Sequence, residues 1–165
     1  MFTFSQETDS DRDEVEWLYD LAFAPGRHAL SSYKLRANVP PVPELSVVAR
    51  DDLGVLGGAI RYWPVSIGDA DATALLLGPV AVHPTRQGEG LGAMLIFDTL
   101  ERATAAGWDR IILVGDEPYY SRFGFSRQMA SRLRFPPPTN PDRILAREMR
   151  PGAFDQISGE VCPIR

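Results

Sequence analysis

The chain has 165 residues, a formal net charge of −5, 44% hydrophobic and 24% charged residues, and one cysteine, Cys162. This profile is that of an ordinary soluble globular protein in a single domain spanning 1–165, and the acidic balance argues against a dedicated nucleic-acid binder. No apolar stretch is long enough for a membrane span, no signal peptide is visible, and one cysteine excludes an intramolecular disulfide, so we expect a cytoplasmic protein.

The N-terminal third predicts two helices and a stiff connector. Apolar residues recur at helical spacing from Ser10 to Phe23, and Pro25-Gly26 ends that helix. A shorter helix is predicted from His28 to about Asn38. The prolines of segment 40–43 exclude both a helix and a central strand, so this segment is predicted to be a connector.

The middle of the chain predicts a hairpin, a strand and a long helix. The hairpin strands are Leu45 to Arg50 and Val55 to Trp63, with a turn at 51–54. A third strand is predicted from Thr73 to Val82, and the longest helix from Glu89 to Ala106, which Gly107 ends.

The C-terminal part predicts a strand at Arg110 to Val114, a short helix near Glu117 to Phe123, and another strand from Phe125 onwards. A rigid proline loop follows at 135–141, and the last strand runs from Ile144 to Met149. Short apolar runs that alternate with helices indicate an α/β or α+β domain.

A glycine-rich loop, Gln87-Gly88-Glu89-Gly90-Leu91-Gly92, joins the third strand to the long helix. Glycines let backbone N–H groups approach a ligand, and a helix N-terminus attracts anions, so this loop suits a phosphate. A P-loop would need Gly-Lys-Ser/Thr, and a Rossmann fingerprint would need a glycine directly after the strand and further βα units. A coenzyme A pyrophosphate loop and a glycine-rich turn without a ligand are the remaining interpretations.

Gly78-Pro79 interrupts the third predicted strand. Proline has no N–H to donate, so pairing breaks there, and the free backbone groups could pair with the amides of a pantetheine arm. The alternative is a bulge that only bends the sheet.

Two adjacent tyrosines lie in the segment Val114 to Phe125, and Tyr120 stands four residues before Gly124. A phenol has a pKa near 10, so it holds a proton that it can deliver to a leaving group. For Tyr119 we predict an amphipathic core residue instead.

Together these segments resemble the GNAT N-acetyltransferases. Gln87 to Gly92 is similar to the family signature Q/R-x-x-G-x-G/A, and Tyr120 to Phe125 is similar to its Y-x-x-x-G-F ending. The resemblance implies a GNAT-like α/β (α+β) fold with a mixed, mostly antiparallel sheet flanked by helices. It also implies acetyl transfer from acetyl-CoA, without a metal, to an amine of a small molecule or peptide, and a homodimer as one arrangement.

The resemblance assigns roles to particular residues. Tyr120 would protonate the departing thiolate. Coenzyme A or its thioester would be bound by Val80, Ala81, Val82, Gln87, Gly88, Glu89, Gly90, Leu91, Gly92 and Ala93. Arg86 and Arg122 either touch phosphates or are solvated, and Arg27, His28, Tyr33 and the proline loop would border the acceptor.

The general base is unassigned, because the strand Thr73 to Val82 has no carboxylate. Asp116, Glu117 and His83 are candidates, and an amine deprotonated by solvent would need none. A missing base is the argument for a rival function, a non-catalytic acyl-CoA-binding module, and retention of Tyr120 is the argument against it. The sequence does not name the acceptor.

Overall fold

A computed structural model describes residues 1–23, 27, 30–69 and 72–165. Its helices are α1 (Arg12–Phe23), α2 (Ser31–Lys34), α3 (Leu91–Ala105) and α4 (Glu117–Tyr120). Its strands are β1 (Thr3–Gln6), β2 (Val47–Arg50), β3 (Leu56–Ile67), β4 (Ala72–Val82), β5 (Arg110–Val114), β6 (Leu133–Arg134), β7 (Ile144–Glu148) and β8 (Gly159–Pro163). Within the described ranges, no helix combines the length and hydropathy needed to cross a bilayer.

The strands form a sheet of order β1-β2-β3-β4-β5-β7, and β8 pairs with the far end of β3 and with β6. Pairing is antiparallel except between β4 and β5, which α3 connects, and between β6 and β8. This confirms the predicted fold class, a mixed and mostly antiparallel sheet with helices. It excludes a Rossmann domain, whose open sheet is mostly parallel.

Alternation along the strands sends side chains to two faces, each covered by a helix. Val47 of β2 packs in the core with Leu95 of α3, whereas the next residue, Val48, packs with Leu18 of α1. A buried hydrogen bond of 2.8 Å joins the Tyr62 hydroxyl of β3 to Thr99 of α3. The sheet is therefore held between α1 and α3, which fixes where the connections of β4 emerge.

Most predicted elements are present with shifted ends. The first helix, the hairpin, the third strand, the long helix with its Gly107 stop, β5 and β7 are confirmed. Strand β3 runs past Trp63 to Ile67, because β4 and β8 pair with both sides of this end. Helix α2 is only Ser31–Lys34; Pro25, Gly26 and His28, on which earlier predictions depend, lie outside the described residues.

The strand predicted from Phe125 is wrong, because only one isolated bridge, Ser126 with Ala146, forms there. Gly124 has a φ of +86°, and a 3₁₀ turn begins at Gln128, so the chain between them is too short for a ladder. Strands β1, β6 and β8 were not predicted. They are short and mostly lie at the chain ends, and their partners in the sheet, not their own apolar pattern, determine them.

Candidate active site

Strands β4 and β5 separate in the middle of the sheet. Their parallel ladder consists of Leu75 with Ile111 and Leu76 with Ile112. Further along β4, Gly78 and Pro79 lie opposite the single residue Arg61 of β3, which is a bulge. Gly78 has a φ of +125°, a value that favours glycine. The interruption is therefore a bulge against β3, and beyond it the other edge of β4 has no ladder to a described strand and faces a gap.

Backbone groups of β4 beyond the bulge point into this gap. The His83 N–H donates to Gly57 O at 2.8 Å, and Val82 is paired with Gly58. Because N–H direction alternates along a strand, the Ala81 N–H faces β3, whereas the N–H groups of Val80 and Val82 face the gap. Ala81 is also 3% exposed in the core beneath α1. Ala81 therefore turns its N–H to β3 and its side chain to the core, and its contact with the cosubstrate stays a prediction.

Tyr120 closes one end of the gap. Its ring makes edge contacts with Tyr119 and Phe125 at centroid distances of 5.0 and 6.3 Å. A methyl group added at Gly115 would lie 2.9 Å from Cδ2 of Tyr120, so glycine at this position makes room for the ring. Burial, followed by the neighbouring Tyr119 and Asp116, raises the pKa of Tyr120 above its ordinary value. The phenol therefore holds its proton at neutral pH.

A cavity of about 160 Å³ joins Tyr120 to the helices that precede β2. The sheet contributes Leu76 to Val80 and Val114, and the opposite wall consists of Phe23, Arg27, Leu30, Ser32, Tyr33 and Arg36. Two of the residues predicted to border the acceptor, Arg27 and Tyr33, thus face the same space as Tyr120. The proline loop contacts α2 through Thr139 and Ser31 at 2.6 Å, but does not line this cavity.

The predicted phosphate loop lines a groove of about 330 Å³ at the start of α3. Its lining residues are Val82, Arg86, Gln87, Gly88, Gly90, Leu91, Gly92, Ala93, Tyr119 and Arg122. Gly88 and Gly90 have φ of +88° and +77°, which favour glycine, and an added Cβ at either meets no atom within 4 Å. The groove is therefore open, and the first turn of α3 presents its N–H groups there without a capping side chain.

Two residues of the predicted loop, Glu89 and Leu91, differ from the others in where their side chains lie. The side chain of Glu89 does not line the groove; its carboxylate lies 3.9 Å from Nη1 of Arg86. The Leu91 side chain is 1% exposed in the core, so this residue can offer only its backbone to a ligand.

Tyr119 is not the core residue that we predicted. It is 37% exposed and lines the groove, and its hydroxyl lies 3.8 Å from the position of a Cβ at Gly92. The Arg122 guanidinium lies 4.5 Å from its ring centroid. Adjacent residues of a helix do not share a face, so with Tyr120 packed inward, Tyr119 had to point elsewhere.

The two candidate phosphate-binding arginines differ in their surroundings. Arg86 is paired with Asp51 and also approaches Glu89, so its charge is already compensated. Arg122 makes no salt bridge to the described residues, and its Nε donates to Tyr119 O at 2.9 Å.

None of the proposed general bases lines the cavity that contains Tyr120. Nδ1 of His83 lies 2.8 Å from the Thr85 hydroxyl, and Asp116 lies 3.2 Å from Nε of Arg143. Glu117 accepts a hydrogen bond from the Arg127 N–H at 2.9 Å. In the described part of the chain, moreover, no cluster of three histidine, cysteine or acidic side chains could hold a metal ion.

The chain is similar in sequence and in structure to known acetyltransferases. The sequence model of the acetyltransferase (GNAT) domain matches residues 43–127, more than half of the chain. The uncharacterised N-acetyltransferase YhbS of Escherichia coli K12 is 28% identical over 117 residues, 71% of this chain and 70% of YhbS. The crystal structure of Escherichia coli YhbS with CoA superposes with a TM-score of 0.84 at 24% identity, covering 98% of this chain and 89% of that one. A GNAT family acetyltransferase from Brucella melitensis, solved with acetyl-CoA, gives 0.73 at 29% identity, with coverages of 98% and 95%.

Proposed function

The chain belongs to the GNAT acetyltransferase family, and on this premise we propose that it moves the acetyl group of acetyl-CoA directly onto an acceptor amine. The observation that carries the proposal is the gap between β4 and β5, which lies between the groove at the start of α3 and the cavity at Tyr120. We propose that residues 1–165 form one catalytic domain.

Cosubstrate binding in this proposal uses backbone more than side chains. Gly88, Gly90 and Gly92 leave room for the pyrophosphate beside the N–H groups of the first turn of α3, which is a favourable anion site. Arg122 adds a positive charge at this groove. The Val80 and Val82 edge of β4 can pair with the pantetheine amides as a neighbouring strand would.

The chemical step then needs few residues. Acetyl-CoA supplies an activated acyl group, and the acceptor amine forms the new C–N bond as the C–S bond breaks. The Val80 N–H donates to the carbonyl oxygen, where negative charge develops. Tyr120 gives its proton to the coenzyme A sulfur. The amine loses its proton to solvent, because the cavity wall offers no carboxylate or imidazole in the described residues.

Replacing Tyr120 by phenylalanine tests this mechanism. The change keeps the ring contacts and removes the proton donor, so stability and acetyl-CoA affinity should be nearly unchanged. We expect the single-turnover rate at saturating acetyl-CoA to fall by about 10- to 10⁴-fold. Single-turnover measurement separates the chemical step from product release.

Tyr119→Phe is the matched control, since it removes the neighbouring hydroxyl from the groove and not from the gap. It should affect coenzyme A affinity and leave the saturated single-turnover rate intact. If Tyr119→Phe is the slow variant, the acid has been misassigned. If the wild type binds acetyl-CoA but transfers to no amine, the chain is the non-catalytic binding module.

We further propose a cytoplasmic location, because a chain with a single cysteine suits a reducing compartment. A homodimer remains a prediction from the family, and sedimentation velocity measures it.

A further inference from the structure

Arg36 is a buried cation that forms no ion pair with a carboxylate of the described residues. It follows α2 in the chain and is 8% exposed. Its Nε and Nη1 have no hydrogen-bond partner in the described part of the chain. Its guanidinium lies 4.4 Å from the ring centroid of Tyr33 and 5.5 Å from that of Trp63. Aromatic rings thus hold the guanidinium in place while two of its nitrogens lack acceptors.

The neighbouring arginines are paired, so Arg36 is an exception in its own surroundings. Arg27 bonds Asp20 at 2.9 Å, and Arg61 bonds both carboxylate oxygens of Glu7 at 3.0 and 2.7 Å. Buried charges in proteins are normally paired, because an unpaired one loses its hydration without compensation. Burial also lowers the pKa of Arg36 to about 10, so the group is still charged at neutral pH.

A second unsatisfied donor lies beside it. The indole Nε1 of Trp63 is buried without a hydrogen-bond partner among the described residues. Arg36 and Trp63 both line a cavity of about 300 Å³, and Arg36 also lines the cavity that contains Tyr120. Its Nη2 lies 3.5 Å from the position that a Cβ on Gly78 would take. A group bound to Arg36 would therefore lie beside the bulge, close to the backbone that precedes Val80.

The unsatisfied Nε and Nη1 each share an edge of the planar guanidinium with Nη2, so a carboxylate at either edge accepts two parallel hydrogen bonds, the arrangement in which arginine binds carboxylates. We propose, resting on the acetyltransferase function above, that the acceptor is a small amino carboxylate. Arg36 binds its carboxylate, the Trp63 indole N–H assists, and its amine extends into the gap between β4 and β5. Arg36 is thus a specificity-determining residue for the acceptor.

Matched acceptors test the proposal on the intact protein. Each amino acid of a panel is compared with its C-terminal amide and with the amine that lacks the carboxylate. The wild type should acetylate the best amino acid with a kcat/KM at least tenfold above that of its amide. Calorimetric titration in the presence of CoA should show the same preference in binding, independently of turnover.

Two variants remove the carboxylate preference in different ways. Arg36→Met keeps an apolar stem and removes the unpaired charge, so it should lose the preference while its Tm equals or exceeds that of the wild type. Arg36→Lys keeps a charge without the planar pair of donors and should also lose the preference, with little change in Tm. Arg150→Met removes an exposed arginine paired with Asp109 and is the control that should change neither property.

The outcomes separate this proposal from the one on which it rests. Equal acetylation of acids and amides overturns the carboxylate site and leaves acetyl transfer standing. Carboxylate-dependent binding without transfer to any amine supports the site and overturns the reaction. A preference for phosphorylated amines, or retained selectivity in Arg36→Lys, overturns the assignment of a carboxylate.

Discussion

The surroundings of Tyr120 raise its pKa, and this determines where the rate of the reaction should fall at high pH. An acid must be protonated to act, and a raised pKa extends the protonated form to higher pH. For an acceptor amine without a carboxylate, which does not depend on Arg36, we therefore expect kcat/KM to rise with pH as the amine deprotonates, and to fall only above the ordinary tyrosine pKa of 10. Measuring kcat/KM across the alkaline range checks this, and Tyr120→Phe should lack the alkaline fall. An alkaline fall that persists in Tyr120→Phe belongs to another group.

The glycines of the groove differ in what a side chain would do there. Gly92 has ordinary helical backbone, and an added Cβ lies 3.6 Å from Cγ2 of Val82, which is a normal contact. Gly92→Val should therefore keep the fold and obstruct the anion site, lowering coenzyme A affinity at least about tenfold, or ~1.4 kcal/mol. Isothermal titration measures this, with Ala105→Val at the other end of α3 as control.

Gly90 is a less informative position for the same test. Its φ of +77° is strained for a β-branched residue, so Gly90→Val would distort the loop as well as block it. Unchanged affinity in Gly92→Val, with the fold intact, would show that this groove does not bind the pyrophosphate.

At the scale of elements, the backbone contacts of the cosubstrate should lie in β4 and at the start of α3, whereas α4 and the turn after it contribute side chains only. Coenzyme A should slow amide hydrogen exchange at Val80, Val82 and residues 88–93, because new hydrogen bonds protect those N–H groups. Strand β8, which pairs with the far end of β3, should be unaffected. Exchange followed by mass spectrometry with and without coenzyme A checks this pattern. Protection confined to the cavity at Arg36 would contradict it.

Helices and strands with a clear apolar periodicity could be predicted from the sequence. Strands that form only because a neighbouring strand pairs with them could not. Helix α3 and strand β4 carry their apolar periodicity in the chain, and the loop between them carries its glycines. Strand β8 has no such pattern and exists because β3 extends far enough to pair with it.

The residues of the candidate site divide in the same way into those that local motifs predict and those that only the fold brings together. Tyr120 and the glycine loop lie in short motifs that can be read along the chain. Arg36 was missed because its burial results from packing against Trp63, which is distant in the chain, as well as against the nearby Tyr33, and no local pattern reports burial. From the sequence, an arginine between α2 and a proline connector is expected to be an ordinary surface residue.

For the whole molecule, binding of coenzyme A should raise thermal stability by mass action. At a concentration one hundred times Kd the gain is about 2.7 kcal/mol. For a chain of 165 residues this corresponds to roughly 5–10 °C in Tm. Differential scanning fluorimetry measures the shift, and NAD at the same concentration should give none. A shift with NAD alone would contradict the cosubstrate.

The gap between β4 and β5 also has a mechanical consequence. Two ladder pairs, with the 2.9 Å bond from Arg110 to Thr73 O, join β5 to β4 near one end of their length. The bound pantetheine arm would pair with the free edge of β4 and contact Tyr120 beyond β5. It would therefore link the two parts of the sheet that the gap separates. The protein with bound cosubstrate would then be more rigid than the free protein. Each release of product would restore the flexibility of the free protein.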